Sequence, residues 1–112
     1  MAAITMSPNQ IDVVALSATP SVAQEYAFDA NVRRIEVRFT DGAGTSVAGA
    51  YSLTGTDGGA QVTDAITIFA GTAEVVQLAG IARNLGGTSV FVSSPTASAV
   101  VEIRTYGVNR AS

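Results

Sequence analysis

Histidine, cysteine, tryptophan and lysine are all missing from these 112 residues. Without histidine and cysteine, no Ser-His-Asp triad and no Cys-His pair can form. The usual zinc sites, which need thiolate or imidazole ligands, are excluded with them. With no cysteine there is no disulfide, so the fold rests on its core or on its neighbours, which fits assembly in a reducing compartment. With no lysine there is no Schiff base, no amine nucleophile and no lysine–asparagine cross-link. Aromatic residues are scarce at 6% and charged residues at 13%.

Charge of one sign is also scarce. Nine acids and six arginines give a formal net charge of −3. The arginines are spread out, and no basic block interleaved with aromatics suggests a nucleic-acid footprint. Long hydrophobic runs are absent: the longest, around Val75 to Ala82, is interrupted by Gln77 and falls far short of the ~20 residues of a membrane span. Met1-Ala2-Ala3-Ile4-Thr5-Met6 has no basic residue ahead of it and does not read as a signal peptide. The sequence thus predicts neither a nucleic-acid nor a membrane partner.

What is present is 47% hydrophobic residues, too apolar for a disordered chain. The length fits one domain with a radius of gyration of about 13 Å. Valine, isoleucine and threonine recur in short segments separated by turn residues, a β-type texture. Val32 to Thr40 is the clearest strand, with Ile35, Val37 and Phe39 on one face and Arg34, Glu36 and Arg38 on the other. Further strands are expected at Val22–Phe28, with Tyr26 and Phe28 sharing a face, at Val47–Thr54, Val62–Ala70 and Ala73–Ala79, at Thr88–Ser93, buried on both faces, and at Ser98–Val108, with Val101 and Ile103 opposite Glu102, Arg104 and Tyr106. Asp29-Ala30-Asn31, Asp41-Gly42-Ala43-Gly44, Gly55 to Gly59 and Gly86-Gly87 read as turns. Gly80 to Leu85 reads as either a helical turn or an irregular crossover, and Pro95 marks a loop.

The first residues allow two readings. Ser7-Pro8-Asn9-Gln10 has the form of a capping box that opens a short helix through Leu16. The β-branched Ile11, Val13 and Val14, followed by Thr19-Pro20, favour a strand or extended arm instead. The expected architecture is all-β: an antiparallel two-sheet sandwich or jelly roll of seven to eight short strands in residues 21–112, preceded by an N-terminal arm or edge strand in residues 1–20.

Carboxylates are the remaining route to catalysis. They stand singly along the chain, Asp57 with Asp64 being the pair worth weighing. The chain is read as no enzyme, with no catalytic, cofactor-binding or metal residue. Asp41-Gly42 and Asp57-Gly58-Gly59 lack the regular spacing of a calcium loop and read as turn chemistry. Tyr26, Tyr51 and Tyr106 form a sugar platform in one reading and core or rim packing in the preferred one. Arg34, Glu36 and Arg38 face either a partner or solvent, laced in the latter case to Glu102 and Arg104. The apolar Ala2, Ala3, Ile4, Thr5 and Met6, with Pro8 and Ile11, suit an arm laid on a neighbouring subunit, or an edge strand of their own domain.

Arg34-Ile35-Glu36-Val37-Arg38-Phe39-Thr40-Asp41-Gly42 through Tyr51-Ser52-Leu53-Thr54-Gly55-Thr56-Asp57-Gly58-Gly59, with the Cys-free Ala/Thr/Val/Gly/Ser-rich composition, resembles the small β-rich structural proteins of tailed-phage virions. Among these the chain most resembles capsid decoration (cement) proteins. That resemblance implies a non-enzymatic subunit of the virion, assembled in the host cytoplasm. It also implies the major capsid protein or other virion proteins as partners, and a homo-oligomer, a trimer by analogy, that binds across capsomers and stabilises the shell. The alternatives are a carbohydrate- or host-surface-binding β-sandwich, and a minor tail, fibre or head-completion protein.

Overall fold

The computed structural model describes residues 3–78 and 88–107. Nine strands account for its regular structure, and no helix occurs among the described residues. They are β1 (Ile4–Met6), β2 (Ile11–Ala15), β3 (Gln24–Phe28), β4 (Val32–Thr40), β5 (Gly49–Ser52), β6 (Ile66–Ile68), β7 (Glu74–Gln77), β8 (Thr88–Ser93) and β9 (Val100–Gly107). They form a five-stranded sheet in the order β1-β3-β8-β5-β6 and a four-stranded sheet in the order β2-β9-β4-β7. The protein is an all-β sandwich, antiparallel at every strand pair except β1–β3. Its radius of gyration is 13.2 Å.

The chain changes sheet at almost every connection, and only β5 and β6 are consecutive strands that pair with each other. The Asp41 turn therefore reverses the chain locally and then hands it to the other sheet. Asp41 Oδ1 accepts the N–H groups of Ala43 and Thr45 at 2.8 and 2.9 Å, and a single bridge joins Thr40 to Ser46.

The core lies between the sheets, because alternate residues of each strand face inward. Ile35, Val37 and Phe39 of β4 and Val101 and Ile103 of β9 face Tyr26, Phe28, Val90 and Val92 of the other sheet, all of them buried. The Tyr26 and Phe28 rings stack at 6.1 Å. Gly49 leaves room for the Phe39 ring of the other sheet: a Cβ there would run into it. Strand β8 is buried on both faces from Val90 to Ser93, as expected from its apolar run.

The strands expected at Val47–Thr54, Val62–Ala70 and Ala73–Ala79 are real but shorter. Their described flanks lie outside the strands, and Leu53 and Phe69 are exposed there. The readings at Gly80 to Leu85 and at Gly86-Gly87 lie outside the described residues.

The N-terminal region is strand, turn, strand rather than helix. The capping-box signal is used in a different way. Gln10 Oε1 accepts the Ser7 N–H at 2.8 Å, as it would at a helix start, but Asn9 takes a positive φ of 62° and turns the chain back. The turn is then held by one buried side chain of β9. Thr105 Oγ1 donates to the Ser7 carbonyl at 2.6 Å and accepts the Gln10 N–H at 2.9 Å. The Thr105 backbone adds bonds to Asn9 and Gln10. Four such anchors outweigh a weak local helix preference in a β-branched segment.

Candidate interaction surface

The outer face of the four-stranded sheet carries the densest set of polar side chains. Register sets Arg38 opposite Glu102, Glu36 opposite Arg104, and Arg34 opposite Tyr106. Outward alternation places all six on one face. Glu102 sits between two guanidinium groups. Arg38 Nη2 reaches its Oε1 at 2.7 Å, and Arg104 Nη2 reaches its Oε2 at 3.2 Å. The hydrogen bond from Arg38 is the main influence holding the Glu102 carboxyl below its ordinary range, with Arg104 adding to it and partial burial opposing. Arg34 covers the Tyr106 ring, its Cζ 4.5 Å from the centroid, a cation–π contact. Pairs this exposed contribute only about 0–1 kcal/mol each, so the lattice orders the face more than it stabilises the fold.

Three arginines against two glutamates make this face slightly positive on a chain whose net charge is −3. A shallow depression of about 280 Å³ lies among Glu36, Arg38, Ala73, Glu102 and Arg104. Apolar residues flank the charged strip: Ile11 and Val13 on β2 are 62% and 60% exposed, and Val75 on β7 is 47% exposed. Register puts Ile11 beside Arg104, Val13 beside Glu102 and Val75 beside Glu36.

The sequence-predicted contact residues divide into two groups. Ile11, Arg34, Glu36 and Arg38 come together on this outer face, so both the partner-facing and the solvated, cross-paired readings of the stripe describe the same residues. The other group is tied into its own domain. Strand β1 pairs parallel with β3, Ile4 with Tyr26 and Met6 with Phe28. Met6 is 3% exposed and Ile4 packs against the core. Of the two readings of this stretch, an arm laid on a neighbour or an edge strand of its own domain, the structure shows the edge strand, because Met6 fills the core and Thr105 clamps the turn behind it. Ala3 and Thr5 are exposed, Pro8 is half-buried in the turn, and Ala2 lies outside the described residues.

The tyrosines do not share a surface. Tyr26 is fully buried and Tyr51 is 8% exposed, while Tyr106 lies under Arg34. The preferred core-or-rim reading holds for them. Asp57 Oδ1 accepts the Glu25 N–H at 2.9 Å, and Asp64 lines a depression beside Tyr51, Leu53, Ile66 and Val76 to which Asp57 does not contribute. No group of three or more acidic side chains gathers among the described residues.

Two side chains central to this arrangement were not singled out by the sequence. Thr105 is buried at 2% exposure on the inner side of β9 with Val101 and Ile103, where the alternation leads to the expectation of an apolar residue. Asp12 points into the sandwich, where its Oδ2 accepts the Tyr26 hydroxyl at 3.0 Å. A lone charge between Ile11 and Val13 ordinarily marks the solvent side of a strand, and here it marks the inner side.

Comparison with family models, with curated proteins and with solved structures finds no match to this chain.

Proposed function

We propose that this chain is a non-enzymatic virion structural protein, a capsid decoration or cement subunit that self-associates and docks on other virion proteins. The observation that carries the reading is the outer face of the four-stranded sheet. It offers Arg34, Glu36, Arg38, Glu102 and Arg104 between the exposed margins Ile11, Val13 and Val75. Docking through it across capsomers stabilises only the assembled shell, by mass action on the bound state. A structural role also suits how the acids are used. Five of the nine, Asp12, Glu25, Asp29, Asp41 and Asp57, accept hydrogen bonds that hold the fold itself.

The docking face assigned here replaces an N-terminal arm laid on a neighbour, since β1 pairs with β3 in the sandwich. The test is binding of purified protein to empty heads of the phage that encodes it. Glu36, which makes no ion pair among the described residues, is the residue to reverse. Glu36→Arg should lower head occupancy with the melting curve unchanged. Undiminished occupancy by that variant and by Val75→Asp would remove this face from the proposal.

A further inference from the structure

Among the described residues the sandwich has four edge strands, and β2 is the longest. It has five residues, against three in β1 and β6 and four in β7. Its hydrogen-bonding direction can be read residue by residue. The Leu16 N–H donates to the Ala99 carbonyl, and the Thr105 N–H donates to the Gln10 carbonyl. Residues 10 and 16 therefore aim their backbone groups at β9. Alternation along an antiparallel ladder does the same for Asp12 and Val14. Ile11, Val13 and Ala15 then aim their N–H and C=O groups outward, at the free edge.

Edge strands of soluble proteins are ordinarily protected by outward charge, proline or a bulge. Strand β2 has none of these. Its single charge, Asp12, is turned inward to Tyr26, and its register with β9 is unbroken from Ile11 to Ala15. Ile11 and Val13 are among the most exposed large apolar residues of the described chain.

We propose that two copies of this chain join edge to edge through β2, antiparallel about a two-fold axis at Val13. In that register Val13 faces Val13 of the second copy, and Ile11 faces Ala15. Each facing pair exchanges two backbone hydrogen bonds, so every outward N–H and C=O of the strand is used. Shifting the pairing by two residues leaves an end pair unmade. The side chains match as well: a large residue meets a small one at both ends, and valine meets valine at the centre. Asp12 falls opposite Val14, so no carboxylate faces its twin. The strand is thus self-complementary, as an isologous interface requires. The product is one continuous sheet with four strands from each copy. Its outer face carries two Arg–Glu lattices side by side. The proposal stands on the geometry of this edge and does not depend on the virion reading.

Sedimentation of the full chain over a concentration series tests it. The native protein should form a dimer. Val13→Lys sets two ammonium groups face to face and should weaken association roughly tenfold or more. Phe69→Lys, at an exposed side chain outside β2 and outside the docking face, should dimerise like the native chain. Val13→Glu alone should also dissociate, and mixing it with Val13→Lys should restore a dimer, which separates a lost contact from a lost fold. A native protein that is monomeric at every concentration, or any oligomer that Val13→Lys leaves intact, overturns the proposal. A dimer that ignores phage heads would support it while contradicting the virion reading.

Discussion

The Tyr26 hydroxyl donates a hydrogen bond to the Asp12 carboxylate at 3.0 Å, joining the five-stranded sheet to the edge strand of the four-stranded one. This bond, together with the burial of Leu16 in the core and the bonds from Thr105, sets which way β2 faces. Side chains alternate with a period of two, so a slip of one residue exchanges the two faces of a strand. With Asp12 held inside, Val14 and Leu16 follow it inward, and Ile11, Val13 and Ala15 are left outside. The exposed apolar edge therefore follows from a buried polar contact.

Removing either partner leaves the other partly unsatisfied in a poorly solvated place. Tyr26→Phe and Asp12→Ala should each destabilise the fold by about 1–3 kcal/mol. The double variant should lose less than the sum, with a coupling energy of about 0.5–3 kcal/mol. Urea denaturation of the three variants and the native chain measures the cycle.

The same pair predicts a response to alkali. Burial raises the Tyr26 hydroxyl far above its ordinary value of 10.0, and the negative charge of Asp12 and the bond to it raise it further. A pKa raised in the folded state means that the folded chain holds this proton more tightly than the unfolded one. The stability this provides is complete below pH 10 and is lost progressively as the pH rises from there toward the folded-state value. Phenolate absorbance from Tyr26 should thus appear only together with unfolding. Its appearance while the far-ultraviolet circular dichroism is still native would contradict the buried geometry.

Gly49 makes a steric prediction. Its backbone needs no unusual φ, but the Phe39 ring of the opposite sheet occupies the place of its missing side chain. Gly49→Ala should cost about 1–3 kcal/mol through overpacking. Gly42→Ala, where nothing lies within 4 Å of the added Cβ, should change stability much less. Thermal melts of the two variants compare them directly.

The N-terminal segment should behave as part of the domain. Met6→Ala should destabilise the chain by about 2–5 kcal/mol, the range for truncating a core methionine. Deletion of residues 2–10 should abolish cooperative unfolding, since it removes Met6 together with the turn bonded to Thr105. A deletion variant that melts cooperatively near the native temperature would restore the free arm.

The sequence exposed those parts of the fold in which local pattern and tertiary environment agree. Strand β4 is legible to the residue, because Ile35, Val37 and Phe39 alternate with Arg34, Glu36 and Arg38 and their faces have opposite solvation. Strand β8 is legible as a continuous apolar run. The same alternation places Glu102 and Arg104 on a polar face like that of Arg34, Glu36 and Arg38, but the register that sets Arg38 opposite Glu102 comes from the structure. The N-terminus is not legible in this way, because the interactions that settle it are remote in sequence. Thr105 lies almost a hundred positions from Ser7 and Gln10, and Tyr26 turns Asp12 inward against the local hydrophobic pattern. Asp57 is similar: it reads as a residue of its own turn, yet it caps the Glu25 N–H of β3.

The docking role is tested most directly by the amount of protein retained on particles. Empty heads of the encoding phage, incubated with increasing concentrations of the native chain and sedimented, should saturate at a fixed ratio of chain to major capsid protein. Glu36→Arg should shift that saturation to higher concentration. Retention that never saturates, or a native chain that stays wholly in the supernatant, would contradict a structural role on the shell.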